Sequence, residues 1–163
     1  MYKRQSEVSS VTVATAAPAA LPDGAVVIDV GDSLSYRDGH IAGSWWAIRA
    51  RLEDALTRLP EAESYVVTSS DCRLALLAAQ DLAKLTDVKV FALEGGTEAW
   101  CKAGLPTEKG YSNLAADRED IFYKPYDREG TAEDAMNQYL DWEIELINQI
   151  KRDGTLIFPV FAP

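Results

Sequence analysis

The chain has 163 residues with 26 acidic against 16 basic side chains, a formal net charge of -10 and a pI near 4.5. That balance argues against a polyanion-binding surface, and no Lys/Arg cluster offsets it, so nucleic acid is not an expected partner. With 47% hydrophobic residues the chain can fill one globular core plus an extension, while no apolar run reaches the length of a membrane span.

The acidity is uneven. Residues 1–110 carry 15 acids and 11 bases, and residues 111–163 carry 11 acids and 5 bases, which predicts a solvated acidic helix face in the tail. Cys72 and Cys101 are the only cysteines, so no disulfide framework is expected, and a reducing, cytoplasmic setting fits. One histidine and two distant cysteines give a zinc site no support, and no metal is expected.

In chain order, Met1 to Gln5 is what ATG-TAT-AAG-AGA-CAG would encode, a string that matches a transposon end used in preparing sequencing libraries. Residues 1–5 are therefore expected to be a sequencing artefact, with the true reading frame cut on its 5′ side. A different codon string in the nucleotide record would overturn this. Ser6 to Asp23 is small and Ala/Pro-rich, with a short strand candidate at Val11-Thr12-Val13. Ala25 to Val30 is an apolar run bounded by glycines, as for a strand buried on both faces.

Trp45 and Trp46 alternate faces if they lie on a strand; burial of both is the expectation, with one of them free to line a groove. Arg49 to Leu59 places Leu52, Ala55, Leu56 and Leu59 at helical spacing. Tyr65 to Thr68 reads as a second buried strand, Leu74 to Leu85 as an Ala/Leu helix, and Lys89 to Leu93 as a third strand. A further helix runs through Trp100 and stops at Gly104-Leu105-Pro106. This alternation favours a parallel sheet covered on both faces, with the reactive site beyond the carboxyl ends of its strands.

After Gly110 the character changes, so domain limits of 6–110 and 111–163 are expected. Tyr111 to Gly130 is polar and irregular, with Tyr123-Lys-Pro-Tyr126 at its centre. Thr131, with Asp134 three residues on, opens a long helix in a capping-box-like pattern. Its apolar face comprises Met136, Tyr139, Leu140, Trp142, Leu146, Ile147 and Ile150, and Lys151, Arg152 and Gly154 end it. The simplest reading packs this helix on its own domain; the alternative docks it on a neighbouring domain or a second copy.

Four segments lie in the order and spacing of one family. Ile28-Asp29-Val30 resembles an Asp-Val-Arg strand end, and Asp38-Gly39-His40-Ile41-Ala42-Gly43-Ser44 a Gly-His-Ile-x-Gly-Ala motif. Leu93-Glu94-Gly95-Gly96-Thr97-Glu98-Ala99-Trp100 resembles a Gly-Gly-x-x-x-Trp motif, and Gly104-Leu105-Pro106 the Gly-Leu-Pro that follows it. Together they identify a resemblance to the rhodanese-like (thiosulfate sulfurtransferase) domains over about residues 11–108. The tail resembles the end of bacterial proteins that string several such domains together. The resemblance implies an α/β three-layer fold with a five-stranded parallel sheet, here followed by a C-terminal helical extension. It also implies structural roles for Asp29, Gly39, His40, Gly43, Gly95, Gly96 and Trp100, with His40 a hydrogen-bonding turn residue.

The resemblance further implies a Cys-x-x-x-x-Arg loop whose N–H groups converge on a persulfide at a helix N-terminus. A thiolate must attack the sulfane sulfur, and inward N–H groups with the helix dipole stabilise the anion formed. Counting back from Arg73 puts Thr68 at the nucleophile position, in a loop of Thr68, Ser69, Ser70, Asp71, Cys72 and Arg73. A threonine hydroxyl cannot carry a persulfide. Asp71 sets a carboxylate where the substrate is anionic, Ser69 stands where many active relatives have an arginine, and Gly31 replaces the arginine of Asp-Val-Arg.

The expected function is thus a domain with a degenerate loop and no cofactor, structural, regulatory or anion-binding beside catalytic rhodanese domains of the same longer chain. The alternative is an active sulfurtransferase that takes thiosulfate or a similar small sulfur anion, with Cys72 as an offset nucleophile and Arg73 assisting. Cys101 reads as an incidental thiol. A phosphatase loop needs an arginine beyond its cysteine at a longer spacing; none follows Cys72 there, which excludes that reading.

Overall fold

The computed structural model describes residues 12–70, 72–121, 123–124 and 131–154. Residues 1–5, Val11, Asp71 and Tyr126, each given a reading above, lie outside this set. In chain order the elements are β1 (Ala14–Ala16), β2 (Ala25–Asp29), α1 (Ser33–Asp38), β3 (His40–Ile41) and β4 (Trp45–Trp46). A 3-10 turn (Arg49–Arg51), α2 (Leu52–Leu56), β5 (Ser64–Thr68), α3 (Cys72–Leu82) and β6 (Lys89–Leu93) follow. The last elements are α4 (Gly96–Lys102), β7 (Thr107–Glu108) and α5 (Ala132–Asp153).

The apolar runs form the middle of a five-stranded sheet in the order β1-β6-β5-β2-β4, with every pairing parallel. All five residues of β5 are buried, as a central strand covered on both faces requires. Register runs from Ala25 opposite Ser64 to Asp29 opposite Thr68. The connection from β5 to β6 is α3, whose Ala75, Ala78, Ala79 and Leu82 are buried. These positions are i, i+3, i+4 and i+7, one helical stripe, and the three alanines allow the helix close approach to the sheet. One face of the core is built by Ile28, Val67, Leu52 and Leu82, the other by Val27, Val66, Ile41 and Leu93.

Three sequence expectations need correction. The first strand forms at Ala14–Ala16 rather than at Thr12–Val13, because its partner is the β6 edge from Phe91 to Leu93. The Arg49–Leu59 segment is a 3-10 turn and only five residues of α-helix; Ile48 provides no side-chain cap. The two tryptophans differ: Trp46 is fully buried and donates from Nε1 to the Gly31 carbonyl at 2.9 Å, whereas Trp45 is half-buried.

The first compact unit extends to Ile121, past the compositional change at Gly110. Polar ties explain the extension: Asp120 accepts from the Ser33 amide at 2.7 Å and its hydroxyl at 2.6 Å, and Arg51 and Arg58 pair with Glu119 and Asp117. The second unit, from residue 122 onward, holds α5. Thr131 caps it, accepting from the Asp134 amide at 3.1 Å, and Gly154 closes it in the left-handed conformation. Among the described residues no helix is long and apolar enough to cross a membrane.

Candidate functional site

Beyond the carboxyl ends of β2 and β5 the ladder continues for one step. The Val30 amide donates to the Thr68 carbonyl at 2.9 Å, which keeps Thr68 in strand geometry as the last residue of β5. Thr68 is fully buried. Its hydroxyl lies 3.0 Å from the hydroxyl of Thr97 on α4, and Thr97 donates a longer bond, 3.4 Å, to Asp29 Oδ2. A hydroxyl has one proton. With the Thr97 proton directed to Asp29, the Thr68 proton is committed to Thr97.

Asp29, 5% exposed, anchors this chain. Burial pushes its carboxyl up to about 6, against the opposing pull of the hydrogen bonds from the Gly31 amide and Thr97. The Gly31 amide is 2.8 Å from Oδ1. Gly31, which departs from the family's arginine, thus serves Asp29 with its N–H and Trp46 with its carbonyl.

Ser69 is also fully buried, and its carbonyl accepts from the Thr97 amide at 3.1 Å. Gly96 permits this approach: a Cβ there would stand 2.3 Å from the Ser69 oxygen, at φ +63°. Ser70 is exposed, Asp71 is outside the described residues, and Cys72 and Arg73 lie exposed on the first turn of α3. The loop residues therefore divide. Thr68 and Ser69 are locked inward, and Cys72 and Arg73 face outward. Between Ser70, Thr97 and Asp29 lies a cavity of about 30 Å³, room for about one water.

The remaining motif residues brace the far side. His40 is fully buried, stacked on the Tyr36 ring at 3.6 Å, and its Nδ1 donates to the Tyr36 carbonyl at 2.6 Å. Nε2 faces Ser112 and Glu108 at 3.1 and 3.2 Å. The Gly43 amide, at 3.0 Å, holds the Glu108 carboxyl below its ordinary range, with help from Ser112. Gly39 caps the end of α1. Trp100 Nε1 donates to the Pro106 carbonyl at 2.8 Å, tying the Gly-Gly-x-x-x-Trp segment to the Gly-Leu-Pro turn. Cys101 is exposed on α4. Among the described residues no cluster of His, Cys, Asp or Glu is placed to hold a metal ion.

Two features were not visible in the sequence. Thr97 stands inside a quoted motif, yet its role arises only when the sheet order brings α4 beside the end of β5. The second is a cavity of about 570 Å³ lined by Val30, Ile48, Leu74 and Ile121 together with Arg49 and Asp81, which pair at 2.6 Å. No local pattern joins residues that far apart in the chain.

Residues 14–103 match the family model for the rhodanese-like domain. The thiosulfate sulfurtransferase GlpE of Ectopseudomonas mendocina is 34% identical over 91 residues, covering 53% of this chain and 78% of that protein. A crystallised thiosulfate sulfurtransferase from Pseudomonas aeruginosa superposes with a TM-score of 0.76 at 41% identity, over 93% of this chain. This chain spans only 30% of that longer one. A Rhodopseudomonas palustris protein of unknown function, described as a possible tyrosine phosphatase, superposes at TM-score 0.52 and 26% identity over 59% of this chain and 85% of its own. With matching motifs, sheet order and a family model over more than half its length, the chain belongs to the rhodanese-like sulfurtransferase family.

Proposed function

We propose that this rhodanese-like domain carries no persulfide on its own loop and acts as a structural or anion-binding module beside catalytic rhodanese domains. The observation that carries this reading is Thr68: at the nucleophile position, fully buried, its hydroxyl engaged by Thr97. An alcohol is barely ionised near neutral pH and forms no persulfide. Exposed Ser70 and Arg73 leave the outer face of the loop able to meet a small anion or a carboxylate of another domain. In this reading the domain is one module of a longer bacterial chain in the cytoplasm, and its thiols stay reduced.

The second reading makes Cys72 the nucleophile, and it draws on the exposure of that thiol at the start of α3. The Cys72 thiolate would attack the sulfane sulfur of thiosulfate. The new S–S bond would form as the old one broke, with sulfite leaving with its electron pair. Intact-mass measurement after incubation with thiosulfate separates the two, using the parent, Cys72→Ser and Cys101→Ser. The expected result is no gain of a sulfur atom on any of the three. A gain in the parent and Cys101→Ser that disappears in Cys72→Ser would overturn the silent-loop reading and install the offset nucleophile.

A further inference from the structure

The cavity of about 30 Å³ beside the loop is lined by Asp29, Thr97 and Ser70, with Gly31, Ser35 and Tyr36 among the others. Ser70 is exposed, so the cavity meets the outer face of the loop. What it can offer a guest follows from counting protons. Most donors along its wall are engaged elsewhere. The Ser35 hydroxyl donates to Asp32 at 2.6 Å, the Tyr36 hydroxyl to the Ser44 and Ser112 carbonyls at 2.7 Å, and the Gly31 amide to Asp29. Asp29 Oδ2 and the hydroxyls of Thr97 and Thr68 form a chain with two contacts, 3.4 and 3.0 Å. Each hydroxyl has one proton. With Asp29 ionised, the chain holds two protons for two contacts, and both are used inside it. Asp29 and Thr97 then turn only lone pairs to the cavity, beside a negative charge that repels an anion. A proton added to Asp29 makes three for the same two contacts. One is left to donate to a guest, and the repelling charge is gone.

We propose that this cavity receives one oxygen of a small oxyanion, and that each anion bound brings one proton onto Asp29. The coupling rests on the anion-binding reading above and adds to it a site and a proton. Its surroundings leave Asp29 as the group that takes up the proton. Burial raises the carboxyl to about 6, while His40 on β3 draws it down and Asp32 before α1 pushes it up. Tyr36 on α1 faces it as a neutral phenol, its pKa raised by burial. Thr97 on α4 and Thr68 on β5 do not titrate. The ionised cavity suits a donor such as water, and the protonated one suits an acceptor.

Sulfate is the probe, because it stays a dianion throughout the range measured. Isothermal titration calorimetry of the 163-residue chain with sulfate, from about pH 5 to about pH 8, tests the coupling. Only the protonated fraction is competent, so affinity is expected to fall about tenfold for each pH unit above 6. Near pH 7, two buffers of different ionisation enthalpy should report uptake of about one proton per sulfate. Asp29→Asn carries an amide donor that never ionises. It should bind sulfate at about pH 8 as tightly as the parent does at about pH 5, with no proton uptake. Binding with a flat pH profile and no uptake would overturn the coupling and leave the anion-binding reading standing. No binding even at about pH 5 would overturn both. Uptake that persists in Asp29→Asn would move the proton to another group, such as His40, and overturn the assignment.

Discussion

Gly96→Ala is expected to destabilise the domain by about 2–5 kcal/mol, against about 1–2 kcal/mol for Gly104→Ala. Both glycines hold left-handed backbone, at φ +63° and +68°, so both variants incur strain of about 1–2 kcal/mol. They differ in what the new methyl meets. At Gly104 there is nothing within 4 Å. At Gly96 the Cβ would stand 2.3 Å from the Ser69 carbonyl oxygen, so either α4 or the loop must move. That movement breaks the Thr97 amide to Ser69 carbonyl bond and strands a buried acceptor, a further cost of about 1–3 kcal/mol. Against a typical domain stability of about 5–15 kcal/mol the loss is large. Urea unfolding of the two variants measures the difference, and hydrogen exchange at the Thr97 amide locates it. Equal losses in the two variants would show that the close approach to Ser69 contributes nothing.

The same contact shows where sequence reading succeeds and where it stops. The strands Ala25–Asp29, Ser64–Thr68 and Lys89–Leu93 are legible because central parallel strands are continuous apolar runs closed by turn residues. The edge strand Ala14–Ala16 is not. Alanine has little strand preference, and its extended form comes from pairing with β6. The apolar run from Tyr65 sets Thr68 at the end of a strand, and counting back from Arg73 by the six-residue loop that the family resemblance implies puts it at the nucleophile position. What surrounds Thr68 is a different kind of information. Thr97 and Asp29 reach it because β5 lies between β2 and β6, a tertiary arrangement that no spacing along the chain encodes. The two tryptophans make the same point: alternation separates their faces, while the hydrogen bond to the Gly31 carbonyl selects Trp46 as the inner one.

Asp29→Asn is expected to stabilise the protein increasingly as pH rises, with the gap over the parent widening by about 2 kcal/mol between pH 4.5 and 8. The sign follows from the direction of the shift. Burial raises the Asp29 carboxyl from 3.8 to about 6 in the folded protein, so the folded state holds its proton more tightly than the unfolded chain. The resulting stabilisation is fully present below pH 3.8 and is lost as pH rises through about 6. Moving the carboxyl from 3.8 to about 6 corresponds to about 3 kcal/mol in total, most of it within the measured window. Asparagine keeps an acceptor for the Gly31 amide and never ionises. Asp32 and Asp81, whose carboxyls are held below their ordinary range, change stability in the opposite direction. They are present in both proteins, so the effect of Asp81 cancels in the difference, while Asp32, whose charge repels Asp29, is slightly relieved in the variant. Urea unfolding at intervals across this range gives the comparison, and parallel curves for the two proteins would refute it. A widening gap would mean that, near neutral pH, the ionised Asp29 is a net cost to the fold. Its hydrogen bonds from the Gly31 amide and Thr97 then offset only part of that cost. An ionised Asp29 can only accept, so Thr97 donates to it and Thr68 donates in turn to Thr97, which holds the Thr68 hydroxyl inward.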